Sequence, residues 1–403
     1  MRAEVATSWR SAAERPTKAA AGPSSRLASA GRGRPWRNRP TVEKGPPGRF
    51  SIQARVGQSG AARAAPLVKA RLRLQGAEAA TSSWGLSPAA REMALVVAGC
   101  YLSPMPTAPG EVLTEVLCRL WPGEQLRSEP LSGGITNFNF RVFLEDRSVV
   151  VRVPGGRTEL LGIDRHAEAS ANALAAGIGV APEIVAFDEA TGCIVTLFVE
   201  GRPVGTDDLG AEPMLGEVVA ALHRVHGAGH VKALFDPFAV VAGYHREITS
   251  RGGREPFAYE KMAALLDQVA KVCPVEPSAL GHNDLLNSNL IYDGTVRILD
   301  WEYAGMTDPF FDLANFSSNN ELGDERDEAI LRHYFGQASS QSIAKLRLMK
   351  LVSEAREAMW GALQHVISDL EMDFASYGAE RAERFFALAE RLDLGSLLSA
   401  AAR

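Results

Sequence analysis

The chain has 403 residues, a formal net charge of −5 and 46% apolar residues, a composition typical of a protein with a packed core. No segment approaches the roughly 18 uninterrupted apolar residues that a membrane-spanning helix needs, and the residues after Met1 lack the apolar core of a secretory signal. We therefore expect a cytoplasmic protein that does not insert into a membrane. The four cysteines lack the spacing of a zinc site, which indicates free thiols in a reducing compartment.

Charge divides the chain into two parts. Residues 1–92 carry 17 Lys and Arg against 5 Asp and Glu, a balance of +12 that leaves −17 for the remainder. Stretches such as GRGRPWRNRP at 31–40 have no hydrophobic period and cannot bury enough surface to offset the entropy of ordering, so we expect a disordered basic leader. It is open whether this leader is a basic tail, an organelle transit peptide, or translated sequence upstream of a start at Met93 or Met105. Because few aromatic residues are interleaved with its arginines, we expect no nucleic-acid partner.

Two lobes are predicted after the leader, at 93–199 and 200–403. The first lobe combines helices and strands, predicted in chain order as a helix at 111–121, strands within 131–144 and 148–153, a helix at 163–176, and strands at 183–187 and 193–199. A polar break at 200–203 is suited to a hinge. The second lobe is mainly helical, with helices predicted at 212–226, 255–272, 325–335, 342–368 and 379–392 and one clear hairpin between them.

The hairpin is the most informative part of the second lobe. Asp293 and Gly294 lie between two apolar strands, and Asp-Gly is a strong signal for a two-residue connection. In that register Asn289 faces Ile298, and Asp300 lies two residues further along the partner strand. Side chains at 289 and 300 are therefore expected at the same open end of the hairpin.

The residues at this end have the chemistry of phosphoryl transfer. The carboxamide of Asn289 and the carboxylate of Asp300 are hard oxygen ligands of the kind that Mg²⁺ takes. Asp284 lies five residues before Asn289 and supplies a third oxygen group, which is able to accept a proton from an attacking hydroxyl. Phosphoryl transfer needs mainly positioning, metal ions and a residue that orients the nucleophile.

Two linked segments, HNDLLNSN at 282–289 and DWEYAGMTDPFFDLA at 300–314, resemble the choline/ethanolamine kinase family. More broadly the chain is similar to the aminoglycoside phosphotransferase superfamily, which shares the protein-kinase-like fold, and the resemblance covers roughly 130–386. It implies an α+β, two-lobed protein-kinase-like fold with a small antiparallel-sheet amino-terminal lobe and a mainly helical carboxy-terminal lobe. It also implies an ATP-dependent kinase that uses Mg²⁺ and phosphorylates choline, ethanolamine or a related amino alcohol.

The resemblance assigns roles to individual residues. It implies that Asp284 is the catalytic aspartate and that Asn289 and Asp300 hold Mg²⁺. The nucleotide-binding set that it implies consists of a phosphate-covering turn, a phosphate-contacting arginine with its acidic partner, and a hinge that receives adenine: Ser132, Gly133, Gly134, Thr136 and Asn137, then Arg152 with Glu168, then Phe198 and Val199. His282 and Asp312 are expected to be structural, bracing the catalytic loop.

Acceptor binding is expected from aromatic and acidic residues, because a cation over an aromatic face gains roughly 0.5–2 kcal/mol. Glu302, Tyr303 and Trp360 are the substrate-binding candidates, although core packing on an amphipathic helix is an open alternative for Trp360. An aminoglycoside or thiamine acceptor remains an alternative. So does an inactive nucleotide-binding scaffold, whose mark would be the loss of Asp284, Asn289 or Asp300. The sequence does not indicate an oligomeric state.

Overall fold

The computed structural model describes residues 108–131 and 135–402 of the chain. The predicted leader at 1–92 and the boundary at residue 93 lie outside these residues. Within the described residues, the amino-terminal part is built on an antiparallel sheet and the carboxy-terminal part mainly on helices. The predicted α+β class is therefore confirmed.

One antiparallel sheet forms the amino-terminal lobe, with five strands in the described residues in the order β1-β2-β3-β5-β4. The strands are β1 (Arg127–Pro130), β2 (Asn137–Phe143), β3 (Ser148–Pro154), β4 (Ile184–Asp188) and β5 (Cys193–Leu197). Helix α1 (Pro109–Leu120) precedes the sheet, and helix α2 (Arg165–Gly177) lies between β3 and β4 in the chain.

The side chains of β3 alternate between two environments. Val149, Val151 and Val153 are buried in a hydrophobic cluster that α1 helps to form. Because successive side chains of a strand point to opposite faces, Arg152 lies on the other face of the sheet. The alternation explains how a valine-rich strand presents a guanidinium to the carboxy-terminal lobe.

Helices dominate the carboxy-terminal lobe. In the described residues they are α3 (Thr206–Leu209), α4 (Glu212–His226), α5 (Pro237–Ser250), α6 (Tyr259–Val272), α7 (Pro309–Asn319), α8 (Asp324–Phe335), α9 (Ser340–Ile367), α10 (Phe374–Arg391) and α11 (Leu394–Ala401). Helix α9 has 28 residues, and nearly every side chain from Leu346 to Gln364 is buried, including charged ones. A helix buried on all sides lies in the middle of a core, so its charged residues need partners there.

Two small sheets hold the loops of this lobe. Strands β8 (Leu290–Tyr292) and β9 (Val296–Ile298) form a hairpin that β6 (Arg202–Pro203) extends, and β7 (Ala279–Gly281) pairs with β10 (Gly305–Thr307). Since β7 and β10 are antiparallel, the segments at 282–289 and 299–304 leave from the same end of this pair. The two motifs recognised in the sequence are thereby brought together.

Most of the predicted elements are present within one to five residues of their predicted ends, and the helix at 212–226 has the predicted bounds. The sequence prediction did not include α5, α7 or α11, nor the pairing of β7 with β10. None of the helices in the part of the chain that the structure describes is long and apolar enough to cross a bilayer. Cys118, Cys193 and Cys273 are free thiols, and Cys100 lies outside the described residues.

Candidate active site

The loop after β7 is held by a buried carboxylate of α7. Asp312 accepts hydrogen bonds from the backbone N–H groups of His282, at 2.8 Å, and Asn283, at 2.7 Å. The loop has a left-handed residue at Asn283, whose φ is 66°, and Asn is among the residues that adopt this region most readily. Burial alone would raise the pKa of Asp312, but its hydrogen bond with His226 and these loop contacts hold that pKa below its usual range. Asp312 therefore remains an acceptor that fixes the loop.

His282 joins the loop to the end of the hairpin. Its Nε2 lies 2.8 Å from the carbonyl oxygen of Leu299, and the backbone N–H of Asp284 lies 3.3 Å from its Nδ1. A carbonyl only accepts and a backbone N–H only donates, so Nε2 carries the ring proton and Nδ1 is the acceptor. Burial lowers the pKa of His282, in keeping with this neutral tautomer.

The structure corrects the predicted register of the hairpin. Leu290 pairs with Ile298, so the connection between β8 and β9 has three residues rather than two. Asp293 Oδ1 accepts hydrogen bonds from both the backbone N–H and the hydroxyl of Thr295, at 3.1 and 3.0 Å, and Gly294 has a φ of 106°. These hydrogen bonds from Thr295 to the Asp293 side chain stabilise a turn of three residues. The Asp-Gly pair alone predicts a turn of two residues and gives no sign of this alternative.

In the corrected register, Asp300 lies one residue, rather than two, beyond the position that faces Asn289. Asn289 faces Leu299, not Ile298 as predicted, and the N–H of Leu299 donates to the Asn289 carbonyl at 2.8 Å. Asp300 is the next residue and has a left-handed φ of 64°. The Nδ2 of Asn289 donates to the backbone carbonyl of Asp284 at 3.1 Å, which joins the three residues into one group.

The donor atoms of this group fit Mg²⁺. Asp300 Oδ1 is buried and faces the Arg152 guanidinium, whose Nη1 lies 2.9 Å away without hydrogen-bond geometry. The amide nitrogen of Asn289 is engaged with Asp284, so its amide oxygen is the atom that would coordinate a cation. Across residues 108–131 and 135–402 no cluster of three or more His, Cys, Asp or Glu side chains is arranged for a metal. An amide and a carboxylate suit Mg²⁺, which usually completes its coordination with water and substrate phosphates.

Arg152 connects the sheet to the hairpin. Its Nη1 contacts Glu168 Oε1 on α2 and lies 2.9 Å from Asp300 Oδ1. Burial alone would lower the pKa of Arg152, but the carboxylates of Asp300 and Glu168 raise it above its usual value. The predicted pairing of Arg152 with Glu168 is present, and a permanent cation lies next to the candidate metal ligand.

The turn predicted to cover the phosphates is described only in part. Ser132, Gly133 and Gly134 lie outside the described residues. Thr136 Oγ1 donates to Glu302 Oε1 at 2.6 Å, and Asn137 Nδ2 donates to Glu302 Oε2 at 2.8 Å.

Glu302 therefore contacts the part of the amino-terminal lobe in which the phosphate-covering turn was predicted, and its substrate-binding role stays a prediction. Arg165 completes this arrangement, with its Nη1 3.3 Å from Glu302 and 2.6 Å from Glu168 and its Nη2 3.0 Å from Asn137 Oδ1. Sequence reasoning missed Arg165, although its position three residues before Glu168 on the same helix was a usable signal.

The hinge candidates lie beside a cleft at the end of α2. Phe198 and Val199 line a cleft of about 750 Å³ together with the end of α2 and the tip of the hairpin at Asp293 and Arg297. Arg152, Asn289 and Asp300 are not among its lining residues. The guanidinium of Arg141 covers the ring of Phe198 at 3.7 Å.

Asp284 faces a buried arginine of α9. Arg356 is 1% exposed, and its Nη1 donates to Asp284 Oδ1 at 3.1 Å and also contacts Glu357. Burial raises the pKa of Asp284 to about 7, although Arg356 acts to lower it and Glu357 to raise it. Sequence reasoning missed Arg356 as well. Its signal was a cluster of charged residues, Glu354, Arg356 and Glu357, between apolar segments of the helix.

Aromatic residues surround this arginine. Trp360 Nε1 donates to the hydroxyl of Tyr303 at 2.9 Å, so two of the acceptor candidates are in contact. The Arg356 guanidinium lies over the Tyr303 ring, with its central carbon 4.2 Å from the ring centroid. Tyr377 packs edge-on against Trp360 and donates its hydroxyl to Glu357 at 2.9 Å. An aromatic and acidic cluster thus lies next to Asp284, joined to it through Arg356.

Comparisons with known proteins agree with this geometry. The profile of a family described as "Phosphotransferase enzyme family" matches residues 127–348, more than half of the chain. Ethanolamine kinase 2 of Mus musculus is 27% identical over 357 residues, which cover 75% of this chain and 90% of the mouse protein. Protein LicA of Haemophilus influenzae is 25% identical over 272 residues, which cover 64% of this chain and 79% of LicA.

Solved structures give the same result for the fold. The crystal structure of a choline/ethanolamine kinase family protein from Mesorhizobium loti is similar with a TM-score of 0.62 and 28% identity, covering 73% of this chain and 98% of that one. The structure of choline kinase LicA from Streptococcus pneumoniae has a TM-score of 0.60 at 24% identity, covering 70% and 99%. The predicted two-lobed, kinase-like fold is therefore confirmed.

Proposed function

Since the chain belongs to the phosphotransferase enzyme family, we propose that it transfers the γ-phosphoryl group of ATP to the hydroxyl of choline, ethanolamine or a related amino alcohol. One observation carries the proposal. Asp284, Asn289 and Asp300 form a single group, in which Asn289 is hydrogen-bonded to the backbone of both flanking segments, and Arg152 reaches this group from the opposite lobe.

In this proposal each residue has a role that its contacts support. The Asp284 carboxylate orients the acceptor hydroxyl and receives its proton as the oxygen attacks the γ-phosphorus and the bond to the bridging oxygen of ADP breaks. Asn289 and Asp300 hold Mg²⁺, which when bound neutralises phosphate charge. His282 and Asp312 fix the loop that carries Asp284.

The nucleotide side follows from the sheet and its turn. Arg152, positioned by Glu168, contacts the phosphates, and the turn from Ser132 to Asn137 covers them. Phe198 and Val199 contribute backbone groups to adenine. Glu302 is better suited to this side than to the acceptor, because Thr136 and Asn137 both donate to it.

The acceptor side rests on the aromatic cluster and on named relatives. The rings of Tyr303 and Trp360 belong to the cluster next to Asp284, and Glu357 adds a carboxylate. Burial alone would raise the pKa of Glu357, but the nearby cations Arg356 and Arg381 lower it. The mouse relative is named as an ethanolamine kinase, and the Mesorhizobium loti relative is a choline/ethanolamine kinase family protein. An amino alcohol is the acceptor class that both observations favour. A cytoplasmic location is part of this proposal.

The test is ATP consumption by the purified protein with Mg²⁺ against choline, ethanolamine, thiamine and a small set of aminoglycosides, with Asp284→Ala as the blank. Turnover on choline or ethanolamine, absent from the variant, supports the proposal. Turnover confined to an aminoglycoside or to thiamine would replace the acceptor and keep phosphoryl transfer. ATP binding without turnover on any acceptor in the panel would favour the inactive scaffold.

A further inference from the structure

Arg165 lies at a position that the stability of its own helix does not explain. It is the first residue of α2, directly after the N-cap Asp164. The amino-terminal end of a helix carries a partial positive charge, so a cation there is unfavourable for the helix itself. The Arg165 side chain is nevertheless only 12% exposed, and its two terminal nitrogens reach polar groups of other segments. Its contacts beyond the helix are therefore the reason to look for a role.

Arg165, Asn137 and Glu302 form a closed ring of hydrogen bonds. Arg165 donates through Nη2 to Asn137 Oδ1 at 3.0 Å and through Nη1 to Glu302 Oε2 at 3.3 Å. Asn137 Nδ2 donates to the same carboxylate oxygen at 2.8 Å. A guanidinium only donates and a carboxylate only accepts, so the ring fixes which way the Asn137 amide faces. Asn137 and Glu302 are each 5% exposed, so little water reaches the ring to replace a lost bond.

The ring joins three segments around the proposed nucleotide site. Asn137 begins β2 directly after the turn predicted to cover the phosphates, and Arg165 begins α2. Glu302 lies two residues after Asp300, the candidate metal ligand. Thr136 adds a further bond, from its hydroxyl to the other carboxylate oxygen of Glu302 at 2.6 Å. The turn is therefore bound to the segment that carries the candidate metal ligand, and Arg165 supplies a positive charge to that contact.

Arg165 also determines how Glu168 faces Arg152. Its Nη1 lies 2.6 Å from Glu168 Oε2, and Oε1 of the same carboxylate contacts Arg152. The two oxygens of Glu168 are thus divided between two arginines, one beside the turn and one on β3. Both terminal nitrogens of Arg165 are engaged within the protein, so its effect on a nucleotide has to pass through these neighbours.

We infer that Arg165 is a positioning residue for nucleotide binding. It holds the turn at Asn137 onto Glu302. It also orients Glu168 toward Arg152, so that the turn and this arginine meet the phosphates in one arrangement. The inference rests on the proposed function, which supplies the nucleotide, and it adds a residue to which the sequence resemblance assigned no role.

The first test measures the Kd for ATP with Mg²⁺ by calorimetry, which needs no acceptor. We expect Arg165→Met to raise Kd at least about tenfold, because it breaks the ring in a buried region. Arg165→Lys keeps the charge but not the fork, so we expect a smaller rise of at least about threefold. A Kd within about threefold of the unaltered protein in Arg165→Met would overturn the inference. If Arg165→Met does not fold, an unchanged Kd in Arg165→Lys would overturn it.

Arg119→Met is the matched control. Arg119 is also a largely buried arginine of the amino-terminal lobe with two acidic partners, Glu115 and Asp188, which lie outside the ring. We expect Arg119→Met to lower the melting temperature as Arg165→Met does but to leave Kd within about threefold of the unaltered value. An equal rise of Kd in both variants would show a general structural effect and overturn the inference.

The second test combines Arg165→Met with Glu302→Ala. Because both residues act through one ring, the double variant should bind ATP less than about threefold more weakly than the weaker-binding single variant. Multiplication of the two single effects would overturn the inference.

Steady-state kinetics separates the nucleotide from the acceptor. In Arg165→Met we expect KM for ATP to rise at least about tenfold and KM for the acceptor to change less than about threefold. A larger rise in KM for the acceptor than for ATP would overturn the inference. ATP binding by the unaltered protein without turnover on any acceptor would contradict the proposed function, and the Kd values would still decide the role of Arg165. No ATP binding by the unaltered protein would contradict both.

Discussion

Nη1 of Arg152 lies 2.9 Å from Oδ1 of Asp300, so an ion pair joins the third strand of the sheet to a residue just after the β8–β9 hairpin. Glu168 contacts the same nitrogen from α2. The two lobes therefore meet through charged groups at the position where the phosphates of a nucleotide are proposed to bind. The positive charge of Arg152 compensates the negative charges of Glu168 and Asp300, and both carboxylates contact the same nitrogen.

Arg152→Met leaves Glu168 and Asp300 without their shared cation. Removing one partner of a buried ion pair costs about 3–5 kcal/mol, so we expect a lower melting temperature and at least a tenfold higher KM for ATP. Thermal unfolding and steady-state kinetics measure both. Arg127→Met is the matched control, because Arg127 is an exposed arginine of the same sheet whose contacts are exposed Glu129 and the ring of Phe143, outside the group around Asp300. Unchanged KM in Arg152→Met would remove Arg152 from the nucleotide site.

The position of Glu302 separates nucleotide effects from acceptor effects. Since Thr136 and Asn137 donate to its carboxylate, Glu302→Ala should loosen the phosphate-covering turn. We expect about a tenfold or larger rise in KM for ATP and less than about a threefold change in KM for the acceptor. Tyr303→Phe, which deletes the acceptor of the Trp360 hydrogen bond, should show the opposite pattern. If Glu302→Ala mainly raised the acceptor KM, the result would support the substrate-binding role predicted from the sequence instead.

Gly361 tests how α9 and α10 hold the aromatic cluster. A Cβ at this position would lie 2.8 Å from the backbone of Gly378 and 2.8 Å from the Tyr377 ring. Gly361→Ala should therefore force the helices apart and lower the free energy of unfolding by about 1–3 kcal/mol, measured by urea titration. Gly243→Ala is the control, because the nearest atom to its Cβ is 3.7 Å away at the end of Arg246. There the gain in helix propensity should make the change neutral or stabilising. Equal effects at the two glycines would contradict close packing at 361.

Asp312 gives a prediction for pH. Its pKa in the folded protein lies below the ordinary value of 3.8, so the unfolded chain binds that proton more tightly than the fold does. The carboxylate therefore stabilises the fold above this ordinary value, and the contribution is lost as pH falls through the folded pKa. We expect Asp312→Asn to be less stable than the unaltered protein near pH 7 and the difference to shrink below about pH 4, measured by urea unfolding at each pH. Asp369→Asn, at an exposed position, should show no such trend. A difference independent of pH would contradict the lowered pKa.

The sequence predicted much of this molecule because its strongest signals are local. The valine alternation of β3 and the amphipathic period of α4 are properties of short windows, and both elements are present where they were expected. Asp284, Asn289 and Asp300 were found because a hairpin brings nearby residues together. Their roles, like those of the other site residues, stay predictions.

What the sequence did not predict depends on contacts between distant residues. Helix α7 begins at Pro309 within a stretch without a clear amphipathic pattern, and its bounds follow from Asp308 as N-cap and from burial against other helices. The hairpin register depended on the side chain of Asp293, which competes with the backbone for Thr295. Arg165 and Arg356 each have an acidic neighbour close in the chain, but their contacts with Asn137 and Asp284 join residues more than 25 positions apart, which no local pattern contains.

The central claim, that Asp284 orients the acceptor hydroxyl in an ATP-dependent phosphoryl transfer, is tested most directly with Asp284→Asn. The measurement is kcat on the best amino-alcohol acceptor alongside the Kd for ATP with Mg²⁺ from calorimetry. The isosteric amide keeps the shape of the site but cannot take a proton, so kcat should fall by about two to four orders of magnitude while Kd changes less than about threefold. A variant that keeps near-normal kcat would contradict the mechanism.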